Sequence, residues 1–352
     1  LEGILEGCRQ NGLSENEIQK AVHATRKEMK KQGAGASAAM TAGGNEKKKL
    51  SLAMRIKREL VKNRYLYLLA IPVIVFYALF LYGPMFGLVI AFKQYNIGQG
   101  IFQSKWVGFQ YFQEFFKSIY FSRTLLNTFI ISFADILFGF PLPIIFALLL
   151  NELRGTRFKK TVQTVTYLPH FISMVVICGM ITDFFSTDGV ISRLIAMLGG
   201  ENMNYLASPK WFRTIFVGTN VWQSFGWNSI IYLAALTGVD AQLYEAATID
   251  GAGRFKQLWH VTLPGILPTI MIMLIMRLGQ VLSVGYEKII LLYSPSTYNV
   301  ADVISSYVYR IGIGGSRYSY SAAVGLFQSV INVLMLLLAN RLSAKFSETS
   351  LF

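Results

Sequence analysis

The side chains of this sequence best placed to do chemistry are amides and aromatic rings rather than nucleophiles or metal ligands. His23, His170 and His260 are scattered without ligand spacing, and Cys8 and Cys178 form no disulfide framework. The stretch Gly251 to Lys256 is rich in Gly and basic residues, yet it lacks the spacing of a phosphate-cradling loop and follows no apolar strand. No catalytic residue, metal site or cofactor is therefore expected in the chain. Amides instead recur at helical spacing. Asn220 and Gln223 share a face, Trp222 lies beside them, and Asn228 falls two turns beyond Asn220 and somewhat off the stripe. Arg277, Gln280 and Glu287 form a looser group, and Ser321, Gln328 and Asn332 a tighter one. Amides match hydroxyl groups as donor and acceptor, and a ring covers the apolar face of a pyranose, so this chemistry suits a polyhydroxylated solute. The same amides also bond one membrane helix to another, at about 0.6 kcal/mol each. For any one residue both readings stay open, while three helices that each carry a polar side favour a lined cavity.

The elements that must position these residues are membrane spans. Of 352 residues, 53% are hydrophobic and 15% charged, against about 25% charged in a soluble domain. Six apolar segments near 65–92, 122–150, 161–187, 211–237, 265–292 and 318–341 have spanning length, which predicts an all-α, polytopic membrane protein. Four of them carry charges: Asp135, Asp183, Arg213, and the pair Arg277 and Glu287. A bare charge at the midplane costs about 2.5–3.5 kcal/mol, so these side chains must face protein or water, or snorkel, as expected of Arg213 near its helix end. Arg277 needs a partner, for which Asp135, Asp183 or a second subunit are candidates. It lies about 15 Å along the helix from Glu287, too far to pair with it. Pro141, Pro143 and Pro169 mark kinks.

The net charge of +14 does not point to nucleic acid. Half of it lies in residues 1–64, with 14 Lys and Arg against 7 Asp and Glu, just before the first span. This is the bias of a cytoplasmic flank. Within that extension a capping-box spacing, Ser14 to Glu17, predicts an amphipathic helix, 32–46 a flexible linker, and Lys47 to Arg64 a basic run at the headgroups of the bilayer. The first apolar run begins near Tyr65, too deep and too long for a cleaved leader, and reads as a retained anchor. Arg154, Arg157, Lys159 and Lys160 place the 151–160 connector inside as well. Both termini and the 238–264 connector then lie in the cytoplasm, with 93–121, 188–210 and 293–317 outside. The chain divides into a cytoplasmic extension, 1–64; a first span with its outer loop, 65–121; and a core of five spans, 122–345.

The 238–264 connector has more structure than topology demands. Asp240 caps a predicted helix over Ala241 to Ile249, Asp250-Gly251 turns the chain, and Arg254 to Val261 forms a second short amphipathic piece before Thr262-Leu263-Pro264 opens the next span. Taken alone it is an interfacial re-entry helix. Its residues Glu245-Ala246-Ala247, Asp250-Gly251-Ala252, Trp259, Leu263-Pro264 and Pro268 also resemble, position by position, the signature loop of type I ABC importer permeases. Gly238-Val239-Asp240 and Tyr244 are similar to the carbohydrate- and polysaccharide-uptake branch, and the resemblance runs over roughly 65–345.

The resemblance implies a non-catalytic permease subunit of the cytoplasmic membrane that moves oligosaccharide or polysaccharide fragments by alternating access. Coupling helices at 240–262 would dock Glu245, Ala246, Ala247, Asp250, Gly251 and Ala252 on an ATPase subunit. It further implies a second permease, two ATP-binding subunits that hold ATP and Mg, and an extracytoplasmic solute-binding protein. A permease for another solute, such as peptide or phosphate, and an ion-coupled secondary transporter are the alternatives.

Overall fold

A computed structural model describes Lys20, His23, Ala24, Lys27, Glu28 and residues 61–346. Those five isolated residues are helical and fall in the helix expected after Ser14, the rest of which, with the 32–46 linker, Cys8 and most of the basic run, lies outside the described residues. The chain divides into two compact units, Leu1–Tyr82 and Gly83–Phe352. In the first, helix α1 spans Arg64–Phe76 and continues through a wider helical turn, Tyr77–Tyr82. Its Leu66, Leu69, Ile74 and Phe80 are exposed, as lipid-facing side chains are.

The second unit is helical apart from a two-stranded antiparallel ribbon, β1 (Lys93–Gln94) and β2 (Lys105–Trp106), in which Lys93 faces Trp106. Helical turns at Gly83–Met85, Phe86–Phe92 and Gly100–Gln103 flank the strands, and the helices after the ribbon are α2 (Gln110–Lys117), α3 (Ile119–Gly139), α4 (Pro141–Glu152), α5 (Thr156–Phe171), α6 (Met174–Phe185) and α7 (Val190–Met197). There follow α8 (Pro209–Thr237), α9 (Ala241–Ile249), α10 (Arg254–Gln257), α11 (Leu263–Leu278) and α12 (Tyr286–Leu292). The last are α13 (Tyr298–Ala301), α14 (Ile304–Tyr309) and α15 (Tyr318–Phe346). Ser118 caps α3 by accepting the Tyr120 N–H at 3.2 Å.

Among the described residues five helical runs are long and apolar enough to cross a membrane: Arg64–Phe92, Ile119–Glu152, Met174–Met197, Arg254–Leu278 and Tyr318–Ser343. The segment expected at 211–237 is present as α8, 29 residues long, and its many polar side chains leave it outside that group. Two expected spans are interrupted. The 161–187 segment is two helices, because α5 ends at Phe171 just after Pro169 and α6 restarts at Met174, where Ser173 accepts the Val176 N–H at 3.4 Å. The 265–292 segment breaks between Leu278 and Tyr286, through a turn containing Gly279 and Gly285. By contrast the Pro141 site is only a one-residue turn. Phe140 still donates to the Ile136 carbonyl at 3.1 Å, and Pro141 opens α4 where no N–H is required.

Helix α8 is the axis of this unit. Its Phe212, Ile215, Phe216 and Val221 pack with Ile131 of α3, Ile177 and Ile181 of α6, and Ile289 of α12. Farther along it, Tyr232 and Leu236 pack with Ala147 of α4 and Ile266 of α11. Contact with α5 is close at Gly226, where a β-carbon would stand 2.2 Å from the Thr166 carbonyl oxygen. At the same contact the His170 ring stacks on Trp227 at 4.6 Å, a packing role for this histidine. A third cluster joins Phe115 of α2, Leu282, Tyr307 of α14, and Tyr320 and Val324 of α15. On the outside of the bundle Phe133, Leu149, Leu337 and Leu338 are exposed, the arrangement expected when the solvent is lipid.

Candidate functional site

Helices α3, α8 and α11 converge on Asp135. Arg277, in the last turn of α11, forms an ion pair with one carboxylate oxygen, and Asn220 of α8 donates its amide to the other at 2.5 Å. Of the partners left open for Arg277, Asp135 is the one used; Asp183 is exposed on α6. The trio stands between two adjoining cavities of about 350 and 370 Å³, whose walls share Asp135, Asn220, Arg277 and Gln280. The first extends towards Ser132, Phe216, Ser283, Glu287 and Lys288, the second towards Ser224, Asn228, Tyr232 and Met273.

The broken helix forms much of the first cavity's wall, and its freed backbone groups are satisfied from neighbouring helices. Ser132 of α3 donates to the Val281 carbonyl. Gln328 of α15 donates to the Leu282 carbonyl at 2.8 Å. Asn332 accepts the Leu282 N–H at 3.0 Å and donates to the Ser283 hydroxyl at 2.8 Å. Irregular backbone at this depth is tolerated when protein supplies such partners.

These contacts sort the amides found in the sequence. Asn220, Asn228 and Gln280 are brought together along the cavity walls. Gln328 and Asn332 are bound to the helix break, while Gln223 is buried and Trp222 exposed, and neither lines the two cavities. Arg213 does not snorkel. Its guanidinium donates to the Asn127 side-chain oxygen at 2.6 Å and to the Val300 carbonyl at 3.1 Å. Asn127 in turn donates to the Asn299 and Asp302 carbonyls. Asp302 is fully buried, pairs with Arg123 and Arg310, and accepts the Ser306 hydroxyl at 2.8 Å. Beside it, burial first and then Tyr298 and Asp302 push the Tyr293 phenol up. This node ties the 293–317 connector to α3 and α8. Sequence reasoning missed it, since Asp302 lies in a connector far along the chain from Arg123.

Lys288 was missed as well. It follows Glu287 at the start of α12, and the packed Ile289 and Leu292 were the signal that its own face is buried. It is 2% exposed, and Nζ finds no hydrogen-bond partner among the described residues.

At one end of the bundle, α9 and α10 form a helix–turn–helix. Asp240 accepts the Gln242 N–H at 2.9 Å, as its capping position predicts. Gly251 has φ +75°, the left-handed conformation that favours glycine, and it reverses the chain. Gln257 braces the turn, donating to the Thr248 hydroxyl and the Ala252 carbonyl, while the Tyr244 and Thr262 hydroxyls meet at 3.0 Å. An Arg254–Glu152 ion pair at 3.6 Å ties α10 to the end of α4. The loop is thus held internally while its surface stays open. Glu245, Ala246, Asp250 and Gly251 are exposed, Ala247 and Ala252 half-buried, and Ile249 and Phe255 are 86% and 73% exposed.

Apolar helices around a polar cavity, with a braced helical loop open at one end, define a membrane component of a transport system. The family described as "Binding-protein-dependent transport system inner membrane component" matches residues 120–348, and the chain belongs to it. Protein LplB of Bacillus subtilis (strain 168) is 45% identical over 294 residues, 83% of this chain and 92% of that protein. The polygalacturonan/rhamnogalacturonan transport system permease protein YteP of the same organism is 42% identical, covering 85% of this chain and 93% of its own length. A chain of a bacterial ABC transporter involved in the import of the acidic polysaccharide alginate has 41% identity and a TM-score of 0.77, over 83% of this chain and 99% of that one. The same values hold, over 84% and 100%, for a bacterial alginate ABC transporter in complex with an alginate pentasaccharide-bound periplasmic protein.

Proposed function

We propose that this chain is one permease subunit of an ATP-driven importer that carries oligosaccharide or polysaccharide fragments across the cytoplasmic membrane by alternating access. The observation that carries this reading is the α9–α10 loop, rigidly braced yet open where Glu245, Ala246, Ile249 and Asp250 stand. It is a docking element with no nucleotide chemistry of its own. Each of two ATP-binding subunits, which hold ATP and Mg, engages one permease through such a loop, and the region from Glu245 to Ala252 is this chain's half. The polysaccharide relatives support the substrate class, and the periplasmic protein bound to one solved relative supports delivery by an extracytoplasmic solute-binding protein. A second, different permease completes the path.

In this reading α8 is the sixth span. Its polar side chains are compatible with a membrane because other helices surround it. Both termini and the α9–α10 loop are cytoplasmic, in line with the basic flank and the positive 151–160 connector. Asn220, Asn228 and Gln280 line the solute's route.

The test is Glu245→Arg in the complex reconstituted with its partner subunits. Substrate-stimulated ATP hydrolysis and uptake should be lost while the chain still inserts at its normal level. Uptake at the unaltered rate would overturn the docking role.

A further inference from the structure

One carboxylate does not saturate an arginine, because the planar guanidinium carries five N–H donors on more than one edge. Arg277 holds Asp135 through Nη2, and its side chain is still 43% exposed. No hydrogen bond among the described residues takes its other guanidinium nitrogens, and none of them is a buried orphan. The donors that Asp135 leaves over therefore open into the two cavities whose walls Arg277 shares.

The other charges around this space are withdrawn from it. The Asp135 side chain is 9% exposed, and its two oxygens are taken by Arg277 and Asn220. The Lys288 ammonium is sealed against the Phe216 ring, with Nζ 5.4 Å from the centroid. Glu287 is exposed but lines the first cavity and not the second. In the second cavity the charged side chains are Asp135 and Arg277, and Arg277 is the one a solute can reach.

We propose that the free edge of Arg277 receives a carboxylate of the migrating sugar in the second cavity, so that this permease favours uronic-acid oligosaccharides over their neutral counterparts. This rests on the sugar-permease reading above. Asp135 is then a positioning residue, which fixes one edge of the guanidinium and leaves the other for the ligand. It also offsets part of the positive charge, so the site suits a single carboxylate better than a phosphate dianion. Asn228 and Gln280, on the same walls, offer amides to the hydroxyl groups of such a ring.

The test uses the full chain reconstituted with its partner permease, ATP-binding subunits and solute-binding protein in proteoliposomes. Uptake of labelled trigalacturonate is compared with that of the neutral galactose trisaccharide, in which each carboxylate is a hydroxymethyl group, both normalised to inserted complex. The solute-binding protein is the same for every variant, so a change in preference belongs to the permease. Arg277→Met should lower the acidic-to-neutral ratio by about tenfold or more, the effect of losing a hydrogen bond between charged groups. Asp135→Asn breaks the same ion pair but frees the guanidinium, and it should keep the ratio or raise it. A merely structural pair would move both variants the same way. Arg277→Lys should retain part of the preference, since the charge stays and the fork is lost. Asp135→Leu with Arg277→Met leaves no unpaired buried charge, and carries the expectation of Arg277→Met should that variant fail to fold. If only trigalacturonate is carried, Arg277→Met and Asp135→Asn must still diverge in its rate. Equal slowing by the two, or an unmoved ratio in Arg277→Met, overturns the assignment while the permease reading stands. If the unaltered complex takes up neither sugar, the sugar reading fails and this assignment fails with it.

Discussion

Asp135 and Arg277 meet as an ion pair between α3 and the last turn of α11, at the point where the two cavities adjoin. Asn220 of α8 closes the third side, so a single carboxylate ties three helices together. The Asp135 side chain is 9% exposed. It is the member of the pair that depends most on its partners.

Asp135→Asn should destabilise the purified chain by about 1–3 kcal/mol, less than the full penalty for a buried pair because Arg277 is partly exposed. Removing both charges, as Asp135→Leu with Arg277→Met, should recover much of that loss. Melting in detergent across the double-mutant cycle measures the coupling. Strictly additive single effects would contradict the pairing.

Asn332→Leu should leave the Leu282 N–H and the Ser283 hydroxyl without their partner, and Gln328→Leu should strip the Leu282 carbonyl. Each change is expected to cost about 1–3 kcal/mol. Backbone hydrogen exchange should accelerate locally over residues 279–285 while α8 keeps its protection. An unchanged exchange rate there would mean that the two amides do not hold the break.

Gly226→Val should force α5 away from α8, since even a methyl group would collide with the Thr166 carbonyl. Overpacking of this kind costs about 1–3 kcal/mol. A lowered melting point, together with easier chemical labelling of a cysteine introduced at Thr166, is the expected result. Normal stability in Gly226→Val would show that the two helices do not approach so closely.

Much of the architecture was legible along the chain because its causes are local. Hydropathy over about twenty residues marks an apolar run whatever it later packs against. Asp240, Gly251 and Pro264 likewise specify the cap, the reversal and the restart of the α9–α10 loop through interactions a few residues long. For the same reason the third and fifth spans were misread as continuous. Hydropathy does not register a break when distant side chains satisfy its backbone, as Gln328 and Asn332 do for Leu282, 46 and 50 residues away.

The amide stripes show the same division within the site. Spacing placed polar groups on one side of a helix, but it could not say whether that side faces a cavity or a neighbour. Asn220, Asn228 and Gln280 reach the cavity, and Gln328 and Asn332 are used in packing.

From the order of residues alone came the membrane class, the run of apolar segments, the braced loop and the resemblance it carries. Folding settled which charges meet: Asp135 with Arg277, Asp302 with Arg123 and Arg310, and Lys288 with the Phe216 ring and no hydrogen bond among the described residues. A helix is written in neighbours three and four residues apart. The environment of a charge instead depends on which helices pack together, and so on residues as distant in sequence as Arg277 is from Asp135 or Arg123 from Asp302.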